Sequence, residues 1–288
     1  MKYLYLYKQI LMMMRKILLG LFMAAFAVGC ASKPYVIVQV ADAQLGFTAA
    51  DSCNRAGVPF VNDLRYESEC LRKAVEFINS ISPDAVVFTG DQVNYPNEEV
   101  QWTTFNDIIS ALNPSIKALH LPGNHDVLLS EGNVDSTPFT DRYSDDHFVH
   151  KGRGVKLVGV NTNLIKHNDP RESEQMLWLE NALDKADSAD VTLVFGHHPF
   201  FMTGIDEPDS YFPIMQSKRY QYFELFKEKD VDAVYAGHRH ESFDSQYDGV
   251  PMKTTTSVAY QIGKSKPSVR VITVFKGVVT DQLVEILP

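Results

Sequence analysis

Short apolar runs alternate with amphipathic segments from Tyr35 onward, and this alternation predicts the secondary structure. The runs are rich in Val and other β-branched residues, which is typical of buried strands, and the segments between them repeat apolar residues at helical spacing. Such alternation indicates crossover units with buried, largely parallel strands. The predicted strands are 35–41, 85–90, 116–122, 155–161, 191–196 and 232–237, and the predicted helices are 71–81, 100–112, 174–186 and 217–229.

The pattern changes after residue 245. Apolar runs at 250–262, 268–277 and 278–287 follow one another without a helical segment between them. Consecutive strands of this kind predict a second, more antiparallel sheet that packs against the first. The predicted fold class is therefore α/β, as one domain at 35–288 with two sheets and helices outside. His120 lies inside a predicted strand and is expected in the core.

The N-terminus has the composition of an export signal. Residues 1–29 contain four basic residues and no acid, and their apolar block at 17–28 is shorter than the roughly 20 residues that span a bilayer. The block ends at Ala27-Val28-Gly29-Cys30, which resembles the bacterial lipobox, where cleavage precedes a cysteine that is acylated. We predict a signal peptide at 1–29, with Met14 as an alternative start, and a lipidated Cys30 on a tether at 30–34. The alternative is a plain secretory signal with an incidental Cys30.

The predicted export signal and the net charge limit the kinds of partner that the protein can bind. A lipid on Cys30 would hold the protein at a membrane of the bacterial cell envelope, at the outer membrane or facing the periplasm. Without the leader, the chain carries 23 Lys+Arg and 36 Asp+Glu, a net charge of −13. This acidity argues against nucleic acid, whose binding depends on neutralising phosphates. Cys53 and Cys70 would face an oxidising compartment, where they could form a disulfide or remain free.

Asp, Asn and His side chains follow five of the six predicted parallel strands. The carboxyl ends of parallel strands meet at one edge of a sheet, so these side chains are expected to lie together. Carboxylates and imidazoles suit first-row divalent ions, and one carboxylate can bridge two ions about 3.5–4 Å apart. The segments are Ala41-Asp42-Ala43-Gln44, Gly90-Asp91, Gly123-Asn124-His125-Asp126, Gly196-His197-His198-Pro199 and Gly237-His238-Arg239-His240.

In order and over almost the whole chain after the leader, these segments resemble the motifs of the calcineurin-like metallophosphoesterase family, D-x-H, G-D, G-N-H-D/E, G-H-x-P and G-H-x-H. The resemblance implies a four-layer αββα sandwich of two mixed β-sheets flanked by helices. It also implies hydrolysis of phosphate esters at two divalent metal ions. By motif position, one ion would be held by Asp42, Gln44, Asp91 and His240, and the other by Asp91, Asn124, His197 and His238.

The same resemblance assigns the attack on phosphorus to a hydroxide activated by the metal ions, so no Ser or Cys nucleophile is expected. His125 would face the substrate and stabilise developing charge or protonate the leaving oxygen. Asp126 would orient that imidazole. Arg239 could contact phosphate, or face solvent or a local acid, and His198 is expected to be structural.

Gln44 departs from the family pattern, because the first motif normally has His at this position. An amide oxygen is a poorer ligand than imidazole for zinc or iron but is acceptable to manganese or magnesium. We therefore predict a weaker first site that favours Mn or Mg, with Fe or Zn as alternatives. The same substitution occurs in the branch of calcineurin-like phosphoesterase domain-containing proteins, whose animal members are described as Ser/Thr protein phosphatases.

That branch favours a phosphomonoester, on a small molecule or a phosphoprotein, as the substrate. A phosphodiesterase or nucleotide pyrophosphatase is the alternative within the same chemistry. A non-catalytic, metal-binding lipoprotein on the same scaffold is less favoured, because a binding protein has no use for His125 and its predicted orienting partner Asp126.

Overall fold

The structure is a computed structural model that describes residues 33–184 and 189–287, and its compact unit begins at Tyr35. The strands are β1 (Tyr35–Val40), β2 (Ala85–Thr89), β3 (Lys117–Leu121), β4 (Leu128–Ser130), β5 (Asn133–Asp135), β6 (Phe148–Gly152), β7 (Val155–Gly159), β8 (Val191–Phe195), β9 (Ala233–Ala236), β10 (Phe243–Tyr247), β11 (Val250–Thr254), β12 (Ser268–Phe275) and β13 (Val278–Glu285). The helices are α1 (Phe47–Ala56), α2 (Arg65–Ile81), α3 (Glu99–Ile109), α4 (Thr137–Tyr143), α5 (Thr162–Lys166), α6 (Glu172–Ala182) and α7 (Gln216–Glu228).

Most strands belong to two large mixed sheets. The first sheet has the order β13-β12-β1-β2-β3, in which β1, β2 and β3 are parallel and β12 is antiparallel to both of its neighbours. The second has the order β10-β11-β9-β8-β7-β6, with β11, β9, β8 and β7 parallel and an antiparallel strand at each edge. Strands β4 and β5 form a separate antiparallel pair.

An apolar layer lies between the two sheets. Ile37 and Val87 of the first sheet pack in one cluster with Leu193 and Tyr235 of the second. Side chains alternate along a strand, so the neighbouring positions point outward. There, α2 and α3 cover the first sheet, and α6 and α7 cover the second. The predicted four-layer αββα sandwich is confirmed.

The C-terminal strands do not form a sheet of their own, so the predicted division of strands between the sheets is wrong. The β10–β11 hairpin joins the second sheet through β9, whereas the β12–β13 hairpin joins the first through β1. The six predicted parallel strands also divide, three into each sheet. Apolar periodicity indicates which faces of a strand are buried, but it does not specify the neighbour that accepts its hydrogen bonds.

The six strands and four helices predicted before residue 245 are all present, with ends shifted by a few residues. The elements without a sequence prediction are short or lie at edges. Helix α1 buries only Ala50, and β6 and β10 have no fully buried position. Elements with so few buried side chains give little hydrophobic periodicity, which explains why the sequence did not indicate them.

The signal peptide predicted at 1–29, the lipidated Cys30 and most of the tether at 30–34 lie outside the described residues. Within 33–184 and 189–287, none of the helices has the length and apolar character needed to cross a membrane. The structure therefore leaves the predicted lipid anchor as a prediction.

Cys53 and Cys70 are free thiols in the structure, so the disulfide that the sequence allowed is not formed. Cys53 lies half-buried on α1, and Cys70 is fully buried on α2, where it packs in the core with Leu71. Burial raises the pKa of the Cys70 thiol to about 11. This thiol is therefore a small core side chain and a poor nucleophile at neutral pH.

His120 lies in the core, as predicted. Its ring stacks between Phe88, at a centroid distance of 4.8 Å, and Tyr143, at 4.1 Å. Its Nδ1 is buried and has no hydrogen-bond partner in the part of the chain that the structure describes. Burial, together with the charge of Lys117, lowers the pKa of His120 to about 3. The folded protein therefore keeps this imidazole neutral.

We expect His120→Leu to reduce the loss of stability on acidification. The unfolded chain binds a proton at His120 below about pH 6.5, but the folded protein does not, so stability falls as pH drops from about 6.5 toward 3. Denaturant unfolding of the metal-free protein at several pH values between about 7 and 5 should show a slope of stability against pH that is smaller in the variant, by up to about 1.4 kcal/mol per pH unit. Equal slopes in the two proteins would contradict this expectation.

Candidate metal centre

The predicted metal ligands lie in loops at the carboxyl ends of five strands. Each of the two sheets contributes its own set of loops and ligands. The loops after β1, β2 and β3 belong to the first sheet, and the loops after β8 and β9 belong to the second. Because the sheets face each other, both sets of loops meet above the apolar layer. The first sheet supplies Asp42, Gln44, Asp91 and Asn124, and the second supplies His197, His238 and His240.

The backbone of this centre is strained at five of the seven predicted ligands. These residues adopt left-handed φ values between 41° and 69°, a region that residues other than Gly rarely occupy. Such conformations cost on the order of 1–3 kcal/mol each and persist where the surrounding structure holds them, often at functional sites. The five residues are Asp42, Gln44, Asp91, His238 and His240.

The backbone at position 123 passes so close to Asp91 that only glycine fits there. A Cβ atom at this position would lie 2.1 Å from Asp91 Oδ1. Any larger residue would therefore displace the Asp91 carboxylate or separate the loops that follow β2 and β3.

Asp42, Asp91 and His240 form the first ligand group, and each offers a ligand atom within 4.8 Å of the others. His240 Nε2 lies 3.5 Å from Asp42 Oδ1, and His240 Nδ1 donates to the Tyr260 carbonyl at 2.7 Å. That hydrogen bond fixes the tautomer and leaves the Nε2 lone pair facing the carboxylates. The backbone N–H of His238 lies 3.0 Å from both carboxylate oxygens of Asp42.

His197 is the centre of the second ligand group, which also contains Asn124, His238 and Asp91. His197 Nε2 lies 3.0 Å from Asn124 Oδ1, 3.1 Å from His238 Nδ1 and 3.4 Å from Asp91 Oδ2. Its Nδ1 donates to the Thr89 carbonyl at 2.9 Å, so when the ring is neutral Nε2 carries the lone pair that a metal ion requires. Asp91 borders both ligand groups, which is the position that a bridging carboxylate requires.

His198 lies beside the second ligand group. It is buried, its ring centroid is 4.3 Å from that of His238, and a ring nitrogen lies within 4.8 Å of those of His197 and His238. Its Nδ1 lies 3.3 Å from Thr162 Oγ1. The structural role expected from the sequence stays a prediction, because this position also allows His198 to hold a metal ion together with His197 and His238.

Burial and mutual charge control the protonation of the two groups. Burial raises the pKa of Asp42 to about 8, against the attraction of His197. Burial would also raise the pKa of Asp91, but His197 and His125 lower it overall. Burial would lower the pKa of His197, but Asp91 raises it to about 9, whereas burial lowers that of His240 to about 4. Neutral His240 is in the form that binds metal ions.

Gln44 presents a buried oxygen with no protein partner. Its Nε2 donates to Asn94 Oδ1 at 3.3 Å, and its Oε1 has no hydrogen-bond partner among the described residues. A buried polar atom left in this state costs roughly 1–3 kcal/mol, which a cation ligand bond would offset. Carboxylates, imidazoles and amide oxygens together are a donor set that fits two divalent cations.

His125 is held by Asn94, and the predicted support from Asp126 is wrong. His125 Nδ1 donates to the Asn94 carbonyl at 2.9 Å, and the half-buried ring leaves Nε2 free of that bond. Asp126 is fully buried and turned inward, where its carboxylate accepts the backbone N–H groups of Gln92 at 2.9 Å, Val93 at 3.2 Å and Gly123 at 2.8 Å. Asp126 therefore braces the loops after β2 and β3.

Arg239 has partners within the protein. Its guanidinium lies 3.2 Å from Glu241 and 4.5 Å above the ring of Phe212, so the local acid expected as the alternative to phosphate is its partner. Phe212 and Tyr211 in turn pack against His238, with ring centroids 5.6 Å and 5.2 Å away. The ligand motifs did not predict this contact, because the two aromatic residues lie outside them.

A family model described as calcineurin-like phosphoesterase matches residues 36–242. The chain belongs to this family. Serine/threonine-protein phosphatase CPPED1 of Danio rerio is 30% identical over 257 residues, which cover 84% of this chain and 82% of that protein. A protein of Arcobacter nitrofigilis named probable glycerophosphodiester phosphodiesterase GpdQ is 24% identical over 79% of this chain and 80% of its own length. The structure of purple acid phosphatase PPD1 from yellow lupin has a similar fold, with a TM-score of 0.65 and 12% identity over 88% of this chain and 52% of that chain.

Calcineurin-like phosphoesterases use two divalent metal ions, and the two ligand groups described above fit that requirement. The protein is therefore a metal-dependent hydrolase of phosphate esters. The family and the enzyme class predicted from the five motifs are confirmed. The roles of the individual ligands stay predictions.

We expect Asn94→Leu to weaken one of the two metal sites. Asn94 Oδ1 holds the amide nitrogen of Gln44, so its loss would free the amide to rotate and turn the oxygen away. Loss of such a supporting contact typically weakens metal binding about 10- to 100-fold. Titration of the metal-free protein with Mn, followed by calorimetry, should show one weakened ion and one unchanged ion.

Asn94→Asp is the matched control, because a carboxylate can still accept from the Gln44 amide. Circular dichroism would verify that both variants are folded. Two unchanged Mn sites in a folded Asn94→Leu protein would contradict the assignment of Gln44 Oε1 as a ligand.

Proposed function

We propose that this phosphoesterase hydrolyses phosphomonoesters carried by a small molecule or a phosphoprotein. The observation that carries the proposal is the similarity to the Danio rerio protein. That relative is named as a serine/threonine-protein phosphatase, and the similarity extends over 82% of its length. Phosphoserine and phosphothreonine are phosphomonoesters. The two ligand groups, both of which Asp91 borders, support the chemistry.

We assign the ligands as the motifs suggest. When bound, two divalent ions would neutralise phosphate charge and lower the pKa of a water molecule to about 7. The amide at Gln44 favours Mn or Mg at the first site, and Fe or Zn are the alternatives. One ion would be held by Asp42, Gln44, Asp91 and His240, and the other by Asp91, Asn124, His197 and His238.

His125 is the acid in this proposal. The Asn94 carbonyl holds Nδ1–H, which leaves Nε2–H to meet the leaving group. As the bond between phosphorus and the alcohol oxygen breaks, that oxygen takes the proton from Nε2. A water molecule that has released one proton to solvent forms the new bond to phosphorus through its oxygen, and His125 regains its proton from solvent. Asp91 accepts the backbone N–H of His125 at 2.9 Å, so the same carboxylate positions the acid and borders both ligand groups.

A phosphodiesterase is the second candidate. It is favoured by the similarity to the Arcobacter nitrofigilis protein named as a probable glycerophosphodiester phosphodiesterase, which covers 79% of this chain. A phosphomonoester and a phosphodiester differ in the number of terminal phosphoryl oxygens that the site must accommodate. A comparison of rates on the two kinds of ester therefore distinguishes the two activities.

We expect kcat/KM for an aryl phosphate to exceed that for a bis-aryl phosphate by at least about tenfold, which corresponds to roughly 1.4 kcal/mol of transition-state preference. Initial rates with Mn, Mg, Zn or Fe would test the substrate preference and the metal preference together.

His125→Ala should lower kcat by about 10²- to 10⁴-fold, because it removes the acid. A preference for the diester would select the second candidate, and an unchanged kcat in His125→Ala would remove this histidine from the mechanism.

We also propose that the protein is exported and anchored in the cell envelope by a lipid on Cys30. The charge and length of 1–29 and the lipobox-like Ala27-Val28-Gly29-Cys30 support this. Expressed in a bacterial host with an alkyne-tagged fatty acid, the full chain should incorporate the label and sediment with membranes, whereas Cys30→Ala should not be labelled. A cleaved but unlabelled wild-type protein would favour the plain secretory signal.

A further inference from the structure

Tyr211 lies beside the second ligand group and faces solvent. Its ring centroid lies 5.2 Å from that of His238, and the residue is 64% exposed. A phenol that packs against a predicted ligand and also faces solvent is placed to meet a substrate that approaches the ligand group. Its O–H group is a donor at neutral pH, since a tyrosine ordinarily titrates near pH 10.

The segment that carries Tyr211 is anchored on both sides. Lys166 Nζ donates to the carbonyls of Ser210 at 2.9 Å and Pro213 at 2.6 Å, one residue before Tyr211 and two residues after it. The Gln216 backbone N–H donates to Asp209 Oδ1 at 2.6 Å. The structure thus presents the phenol in a defined position, which reduces the entropy lost when a ligand binds.

Phe212 completes this anchoring from the other side. Its ring packs against His238, with a centroid distance of 5.6 Å, and under the guanidinium of Arg239, which pairs with Glu241. Arg239 therefore supports the aromatic segment through a cation–π contact. This gives a physical reason for an arginine between the two histidines of the last motif.

The number of phosphoryl oxygens decides which substrate benefits from the phenol. A phosphomonoester has three terminal oxygens and a phosphodiester has two, so a donor beyond the metal ligands adds more to the binding of a monoester. We propose that Tyr211 is a substrate-contacting residue whose hydroxyl donates to a terminal phosphoryl oxygen and favours monoesters over diesters. This inference rests on the proposed function and adds the residue that sets its specificity.

The test is Tyr211→Phe, which removes one oxygen and retains the ring against His238. A hydrogen bond to a charged group contributes roughly 1.5–3 kcal/mol, so the ratio of kcat/KM for the aryl phosphate to that for the bis-aryl phosphate should fall by about 10- to 100-fold. Calorimetry of inorganic phosphate with the Mn-loaded protein should show a similar loss of affinity. The Mn content should equal that of the wild type.

Tyr220→Phe is the matched control. Tyr220 lies on α7, and its hydroxyl donates to Asp206 at 2.6 Å, so the same atom is lost away from the ligand groups. This variant should keep the wild-type substrate ratio and phosphate affinity.

Two results would overturn the inference. One is an unchanged ratio and an unchanged phosphate affinity in Tyr211→Phe. The other is an equal fall on both substrates with a loss of Mn, which would mean that Tyr211 acts only by supporting the second ligand group. If the wild type itself prefers diesters, the proposed monoesterase fails, and the phosphate titration still decides whether Tyr211 contacts a phosphoryl oxygen.

Discussion

The apolar layer between the two sheets determines where the metal centre can form. Asp42 and Asp91 follow strands of one sheet, and His197 and His238 follow strands of the other, so no single sheet contains a complete ligand group. The packing of the sheets brings His197 Nε2 within 3.4 Å of Asp91 Oδ2. Hydrogen bonds also cross the same interface, among them those from Gln39 Nε2 to the Ala236 carbonyl at 3.0 Å and from the His238 N–H to Asp42. Distortion of this layer would separate the ligands before it exposed the core.

The sequence predicts the layers of this fold well and the sheet membership poorly. Strands such as β2 and β8 are buried at every position, so they give continuous apolar runs between helices and are recognisable. The partner of each strand depends on contacts far apart in the chain, as when β12 pairs with β1. Apolar composition is the same for either arrangement. The prediction that the strands after residue 245 form a second, more antiparallel sheet failed for that reason.

The metal ligands could be predicted because their residue types are chemically specific and follow strand ends, whereas the contacts around them could not. The orientation of His125 depends on a backbone carbonyl, that of Asn94, and a backbone carbonyl leaves no trace in residue identity. Asp126 has the right chemistry and sequence position to orient its neighbour, but its carboxylate satisfies three backbone N–H groups. Tyr211 and Phe212 lie in an anchored loop outside the ligand motifs, so residue type alone did not place them at the metal centre.

The left-handed backbone at five ligand positions has a consequence for how the enzyme acquires its ions. These conformations are held by backbone hydrogen bonds within the polypeptide, such as those from the Gln44 N–H to the Asp91 carbonyl and from the His238 N–H to the Asp42 carboxylate. The cage is thus assembled by folding, unlike a zinc finger, whose metal creates the fold. A chelator should therefore remove the metal ions without unfolding the protein. Metal ions could then bind again to a site that is already formed. The cation that occupies it would then reflect the supply in the surroundings of the mature protein, so one polypeptide could carry different metals in different habitats.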